Sequence, residues 1–210
     1  MSEGVFISVC IPAYNRLAYL KRLLDSIQAQ LYRNFEVVIS DDSPGEDVSL
    51  LVQGHPLYPL IRYFKNSPSL GTPENWNECI RRAKGNWIKL MHDDDWFGDA
   101  EALGTFAAAV EKFPGKGFFF CAYRNIYADE GDREEEVRIS PVWKKRITAN
   151  PETLLSKNVI GPPSVVLYKK IPGLSYDNHL KWLVDIDFYI SYLRQVPGPE
   201  QIPAMLVNVG

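Results

Sequence analysis

No run in these 210 residues stays apolar over the ~20 positions that a bilayer-spanning helix requires. The N-terminus carries no signal-peptide pattern either. Cysteine is scarce: Cys10, Cys79 and Cys121 are far apart, odd in number, and set in apolar or helical contexts. That usage excludes a disulfide frame and offers no zinc-ligand spacing; it fits buried thiols in a reducing compartment. Positive charge is also in short supply. A formal net charge of -3 argues against nucleic acid as a partner, since such binders usually show a basic face. Glycine-rich phosphate cradles are missing too. No Gly-x-Gly-x-x-Gly follows the first apolar run, which removes a dinucleotide site, and no Gly-x-x-x-x-Gly-Lys-Ser/Thr occurs, which removes a P-loop. What remains, 46% hydrophobic and 23% charged, is ordinary for a globular protein and long enough for one domain with a sizeable core. The expected location is the cytoplasm.

Periodicity supplies the architecture. The run Val5 to Ile11 is nearly all apolar and reads as a strand buried on both faces that ends at Pro12. Asn15 is placed to cap a helix over 16–30, where Leu17, Leu20, Leu23, Leu24 and Ile27 recur at helical spacing. Phe35 to Ile39 is a second strand, running into the turn sequence Asp41-Asp42-Ser43-Pro44-Gly45. Strand, helix and strand in this order make a βαβ unit, hence a parallel sheet with a right-handed crossover. The pattern repeats with a strand at 60–64 and a helix entered through Thr72-Pro73 and stopped by Gly85. A strand at 86–91, a helix at 99–112 and a strand at 117–123 follow. The charged stretch from Asp129 to Glu136 reads as a solvated loop. Asn150-Pro151-Glu152-Thr153 opens a short helix, Val165 to Tyr168 is a strand, and a helix covers 183–194. The fold class is α/β, with a mostly parallel sheet flanked by helices. The apolar end, Ala204 to Gly210, reads as a final strand or as a chain that continues into a further segment.

The most telling stretch is Met91-His92-Asp93-Asp94-Asp95-Trp96-Phe97, directly after an apolar strand. Three consecutive carboxylates repel one another and form strands poorly, so packing alone gives little reason for them. A hard divalent cation does give one, because Mg²⁺ and Mn²⁺ are held by a few carboxylates with positions left open for phosphate and water. A solvated acidic turn is the plain alternative. In open α/β sheets ligands bind beyond the carboxyl ends of strands. Pro12-Ala13-Tyr14-Asn15, Asp41-Asp42 and His92 to Asp95 all fall at such ends.

With these residues in view, a resemblance can be stated. Ser8-Val9-Cys10-Ile11-Pro12-Ala13-Tyr14-Asn15-Arg16 and Phe35-Glu36-Val37-Val38-Ile39-Ser40-Asp41-Asp42-Ser43 look like the opening of a family 2, GT-A fold glycosyltransferase. Gly71 to Gly85, with Asn75, Asn77 and Ala83-Lys84-Gly85, resembles the segment that precedes that family's Asp-x-Asp motif. His92-Asp93-Asp94-Asp95 resembles the motif itself, with His92 in place of the first Asp, which leaves the register open because Asp93 and Asp95 form a second Asp-x-Asp pair. The likeness runs from Val5 to about Arg194, one domain whose donor half is about 1–97 and whose acceptor half is about 98–210.

The resemblance implies that Pro12, Tyr14 and Asp42 line the base and ribose pocket of a nucleotide-sugar, with Asp41 supporting the turn. It implies Asp94 and Asp95 as metal ligands for Mn²⁺ or Mg²⁺ and Asp93 as a ribose or sugar contact. His92 reads as a supporting or capping group, because hard cations prefer oxygen. Trp182 to Phe188 resembles the segment that carries the general base, which puts that role on Asp185, with Asp187 as a buttress. A packing role for Tyr14, turn chemistry for Asp41 and Asp42, and an N-cap role for Asp185 stay open beside these. The implied reaction is metal-dependent transfer of a sugar, with inversion, from a nucleotide-sugar to a glycan, lipid-linked or other hydroxyl acceptor. UDP-sugars are favoured and GDP or dTDP donors stay open. Asn158 to Ser164 resembles a loop that borders the acceptor, and reads equally as a proline-defined entry to the next strand. Trp143, Lys144, Lys145 and Arg146 could cover the donor, or meet an anionic acceptor or the inner membrane face, or be a solvated basic face. Two other readings are a sugar-nucleotide nucleotidyltransferase and a non-catalytic binding domain. The first wants a glycine-rich basic loop after strand one; the second is opposed by Asp94 and Asp185 both being present.

Overall fold

The first apolar run forms the strand its composition dictates and carries it further than the sequence suggests. In a computed structural model describing residues 4–131 and 133–210, β1 is Ile7–Ala13, with all seven residues buried. It lies between β2 (Phe35–Asp41) and β4 (Trp87–Leu90), parallel to both. Pro12 does not end the strand, and the ladder shows why. Alternate residues address alternate neighbours. Ala13 O accepts from Asp42 N on the β2 side, whereas Cys10 O accepts from Met91 N on the β4 side. Pro12 therefore faces the β4 side beyond Leu90, where no ladder bond is lost by its missing N–H.

The remaining strands are β3 (Ile61–Lys65), β5 (Trp96–Phe97), β6 (Phe118–Tyr127), β7 (Arg133–Val137), β8 (Val166–Lys169) and β9 (Glu200–Val209). Together they form one nine-stranded sheet in the order β3-β2-β1-β4-β8-β6-β9-β5, with β7 paired to β6. The β3-β2-β1-β4 portion is parallel throughout. Beyond it β8 runs antiparallel to β4 and β6, β6 and β9 are parallel, and β5 is antiparallel to β9. The helices are α1 (Leu17–Gln28), α2 (Asp47–Gly54), α3 (Glu74–Arg82), α4 (Ala102–Lys112), α5 (Pro141–Ala149) and α6 (Val184–Leu193). α1 buries Leu20, Leu23, Leu24 and Ile27, the stripe its periodicity predicts. Among the described residues no helix is long and apolar enough to cross a membrane. Cys10, Cys79 and Cys121 are free and buried.

Several local readings change. Asn15 does not cap α1: Arg16 holds the cap position, and Asn15 takes φ +57° while its amide donates to Ser43 Oγ at 2.9 Å. A short polar side chain tolerates that left-handed turn better than most. Gly85 does not stop α3, which ends at Arg82. It is a close-approach glycine whose added Cβ would lie 2.6 Å from Ser8 Oγ. α2 and the short β5 were not expected. The 129–136 stretch is no simple loop, because β7 pairs with β6 there. Arg124 lies 3.7 Å from Glu134 and 3.8 Å from Glu136 across the pair, so charge takes the place of apolar alternation. Asp132 of that stretch lies outside the described residues. Residues 143–146 are helical, within α5, capped by Ser140 with Pro141 at the first position. Lys144 is engaged by Glu200 at 2.6 Å.

Candidate functional site

At the carboxyl ends of β1, β2 and β4 lies a cleft of about 580 Å³. Five residues singled out from the sequence line it: Pro12, Tyr14, Asp42, Asp93 and Asp94, joined by Arg16, Asn75, Trp76 and His92. Tyr14 is 56% exposed and so presents its ring instead of packing it away. Asp41 faces elsewhere. It is fully buried and accepts from Ser43 N (2.8 Å), Tyr63 OH (2.6 Å) and Lys65 Nζ (2.9 Å), which makes it the brace of the β2 turn.

Asp42 does two things at once. Its Oδ1 accepts from Asn66 Nδ2 (2.7 Å) and Leu70 N (3.1 Å), and its Oδ2 from Gly71 N (2.7 Å). Asn66 Nδ2 also reaches Asn75 Oδ1 at 3.0 Å on α3. The segment 66–71 is thus strapped to the end of β2 by the same carboxylate that borders the cleft.

The acidic run is held from below by a fully buried lysine. Lys89 Nζ donates to Ser164 O, and Ser164 Oγ accepts from His92 N at 2.9 Å. Burial pushes Lys89 down to about 8. Asp93 accepts weakly from Tyr14 N at 3.4 Å, and burial, aided by the neighbouring Asp94 charge, raises it to about 6. Asp95, 2% exposed, is raised by burial to about 7, with Ser164 and the Gly210 amide opposing; that amide donates to Asp95 Oδ1 at 3.2 Å. Asp94 Oδ2 accepts from Arg16 Nη1, and the Asp94 carbonyl accepts from Arg22 Nη2 at 2.7 Å.

A divalent ion fits this set. The donor atoms of His92, Asp94 and Asp95 lie within 4.8 Å of one another. His92 Nε2 is buried without a hydrogen-bond partner, burial keeps the imidazole below its ordinary pKa and hence neutral, and its ring packs 4.7 Å from Trp76. The sequence reads His92 as a bystander, yet its ring sits with the carboxylates, offering a lone pair. Asp95, pushed towards protonation by burial and by the neighbouring Asp94 charge, is a carboxylate that a cation would relieve. Two carboxylates and one imidazole make a donor set that a divalent ion can take.

Asp185 lies in the first turn of α6, just after Leu183, whose φ is +58°. Asn158 Nδ2 donates to Asp185 Oδ2 at 2.8 Å, while Asn158 Oδ1 accepts from Ile160 N (3.1 Å) and Gly161 N (3.0 Å). Burial raises the Asp185 pKa. The loop 158–164 therefore touches Asp185 through Asn158 and the start of the acidic run, at the His92 amide, through Ser164. Sequence reasoning assigned no role to Arg16, Trp76 or Lys89. The one available signal was a lysine inside an apolar strand.

A family model described as "Glycosyl transferase family 2" matches residues 8–170. An uncharacterized glycosyltransferase of Haemophilus influenzae is 30% identical over 193 residues, covering 90% of this chain and 62% of the relative. The chain spans about three fifths of the length of the curated relatives it matches over most of its own. Among solved structures, residues 1–349 of Staphylococcus aureus TarS in complex with UDP-GlcNAc superpose with a TM-score of 0.75 at 17% identity, covering 98% of this chain and 58% of that one. The Pyrobaculum calidifontis mannosyltransferase PcManGT, in complex with GDP-Man and Mn²⁺, gives 0.65 at 17% identity over 99% and 57%. At that identity the likeness establishes the fold.

Proposed function

Since the chain belongs to glycosyl transferase family 2, we propose that its cleft binds a nucleoside-diphosphate sugar and that the protein transfers the sugar to an acceptor hydroxyl with inversion. The observation that carries this reading is the convergence of Pro12, Tyr14, Asp42, Asp93 and Asp94 on one cleft at three strand ends. Tyr14 offers a ring to the base, and Asp42 and Asp93 offer acceptors to ribose or sugar hydroxyls. UDP is the favoured nucleotide, a preference supported by the UDP-GlcNAc complex of TarS. Residues 1–97 would serve the donor and residues 98–210 the acceptor, which we take to be a hydroxyl of a glycan or lipid-linked sugar.

Asp94 and Asp95, with His92 beside them, would hold Mn²⁺ or Mg²⁺. When bound, that ion offsets the negative charge of the departing diphosphate. Asp185 takes the proton of the acceptor hydroxyl as its oxygen bonds to the anomeric carbon and the bond from that carbon to the phosphate oxygen breaks. A carboxylate whose pKa is raised by burial is a better base near neutral pH than an exposed one. Asn158 orients it through the bond to Asp185 Oδ2.

Calorimetric titration of UDP, GDP, dTDP and CDP, with and without Mn²⁺, tests the reading. Metal-dependent binding of one diphosphate is expected. Absence of binding by all four would remove the donor-site assignment.

A further inference from the structure

Among the described residues that line the cleft, Arg16 is the one whose charge opposes the acidic run. It sits at the cap of α1, its side chain is 53% exposed, and its Nη1 donates to Asp94 Oδ2 and lies 3.8 Å from Asp93 Oδ1. Among the described residues these two carboxylates are its ion-pair partners. The neighbouring Arg22 is held differently, with its guanidinium 3.4 Å from the Trp96 ring centroid and bonded to the Asp94 carbonyl. Asp94 also belongs to the donor set that would take a divalent ion. A guanidinium and a divalent ion on the same carboxylate weaken each other's hold, because the two cations repel. A diphosphate resolves the conflict, since its oxygens match the planar guanidinium fork.

We propose that Arg16 is an exchangeable counter-ion: it holds Asp94 until the donor's diphosphate enters, moves onto the diphosphate oxygens, and so hands Asp94 to the metal. Nucleotide and metal then bind as a coupled pair. The inference rests on the nucleotide-diphosphate reading above. It assigns Arg16 as a diphosphate-binding residue and gives a reason for a half-exposed arginine among the acidic groups. Coupling of this kind is reciprocal, so each ligand tightens the other by the same factor.

The test measures Mn²⁺ affinity, by the free-ion paramagnetic resonance signal, with and without saturating nucleotide, in wild type, Arg16→Gln and Arg16→Lys. The nucleotide is whichever of UDP, GDP, dTDP and CDP binds, with its own affinity for Mn²⁺ in solution subtracted. In Arg16→Gln, Mn²⁺ alone is expected to bind several-fold tighter than in wild type, nucleotide more weakly, and the coupling factor to fall by about tenfold, the size of one charge-assisted bond. Arg16→Lys, which keeps the charge without the fork, recovers part of the coupling. Equal coupling in wild type and Arg16→Gln overturns the exchange while leaving the functional reading intact. Failure of wild type to bind any nucleotide overturns both.

Discussion

Asp185 and Asp42 make contrasting demands on substitution, and the difference separates chemistry from architecture. Asp185→Asn keeps a group of the same shape beside Asn158 and removes only the basicity. Nucleotide affinity should stay within a few-fold while transfer falls on the order of 10²–10⁴-fold; retained turnover would demote Asp185 to a cap. Asp42→Ala instead strands two backbone donors, Leu70 N and Gly71 N, and removes one of the three acceptors of Asn66 Nδ2. Losing these bonds to a carboxylate costs on the order of 1 kcal/mol where water can reach the freed amides, so this variant should lose stability in denaturant unfolding as well as nucleotide affinity. An unchanged unfolding midpoint would show that the strap carries no weight. Pro12, Tyr14, Asp42, Asp93 and Asp94 were legible in the sequence because each falls at or just past the end of an apolar strand. Arg16 and His92 were not, because their significance depends on segments 78 residues apart meeting at Asp94 and on a neutral buried ring, neither of which a motif records.

Glu36 shows how one strand residue can organise its neighbours. Placed on β2, it accepts from Ser8 Oγ (2.7 Å) on β1, from Arg62 Nη1 (2.9 Å) on β3 and from Lys84 N (2.6 Å) in the turn leading to β4. Burial alone would raise its pKa, but these donors outweigh burial and hold it below the ordinary 4.5. A depressed carboxylate stabilises the fold fully above its unfolded value and loses that contribution as pH falls through the lower folded value. Glu36→Gln should therefore be less stable than wild type at neutral pH, with the gap closing below about pH 4.5 in thermal melts; a gap independent of pH would show that the charge is irrelevant. The elements built on apolar periodicity, such as α1, β2 and α6, were readable to within a few residues. Those built on something else were not. α2 carries little more than Val48 and Val52 as a buried stripe, β7 exposes Glu134, Glu135 and Glu136, and α5 buries Ile147 alone. Each is held by neighbours instead of by its own pattern.

The proposed donor and acceptor halves share one sheet. β4 pairs with β8, and β5 pairs with β9, so strands from before residue 98 are stitched to strands from after it at two places. Cooperative unfolding is expected as a consequence. Tryptophan fluorescence, with Trp76, Trp87 and Trp96 in one half and Trp143 and Trp182 in the other, should change at the same denaturant concentration as far-ultraviolet circular dichroism. Two separated transitions would mean that the halves fold independently. The return of β9 to β5 was anticipated only as a final strand. Its pairing joins residues more than 100 positions apart and leaves no local trace in the chain.

The strap at Asp42 has a consequence of its own. A carboxylate that borders the cleft and also receives the amides of Leu70 and Gly71 ties the exchange of those two protons with solvent to events in the cleft. Their protection is set by how often the strap opens. A molecule that pulls on Asp42 from the cleft side must speed that opening, and one that packs over the segment must slow it. Two backbone amides, 28 and 29 residues away along the chain, thus act as a built-in clock for occupancy, readable before the ligand is identified.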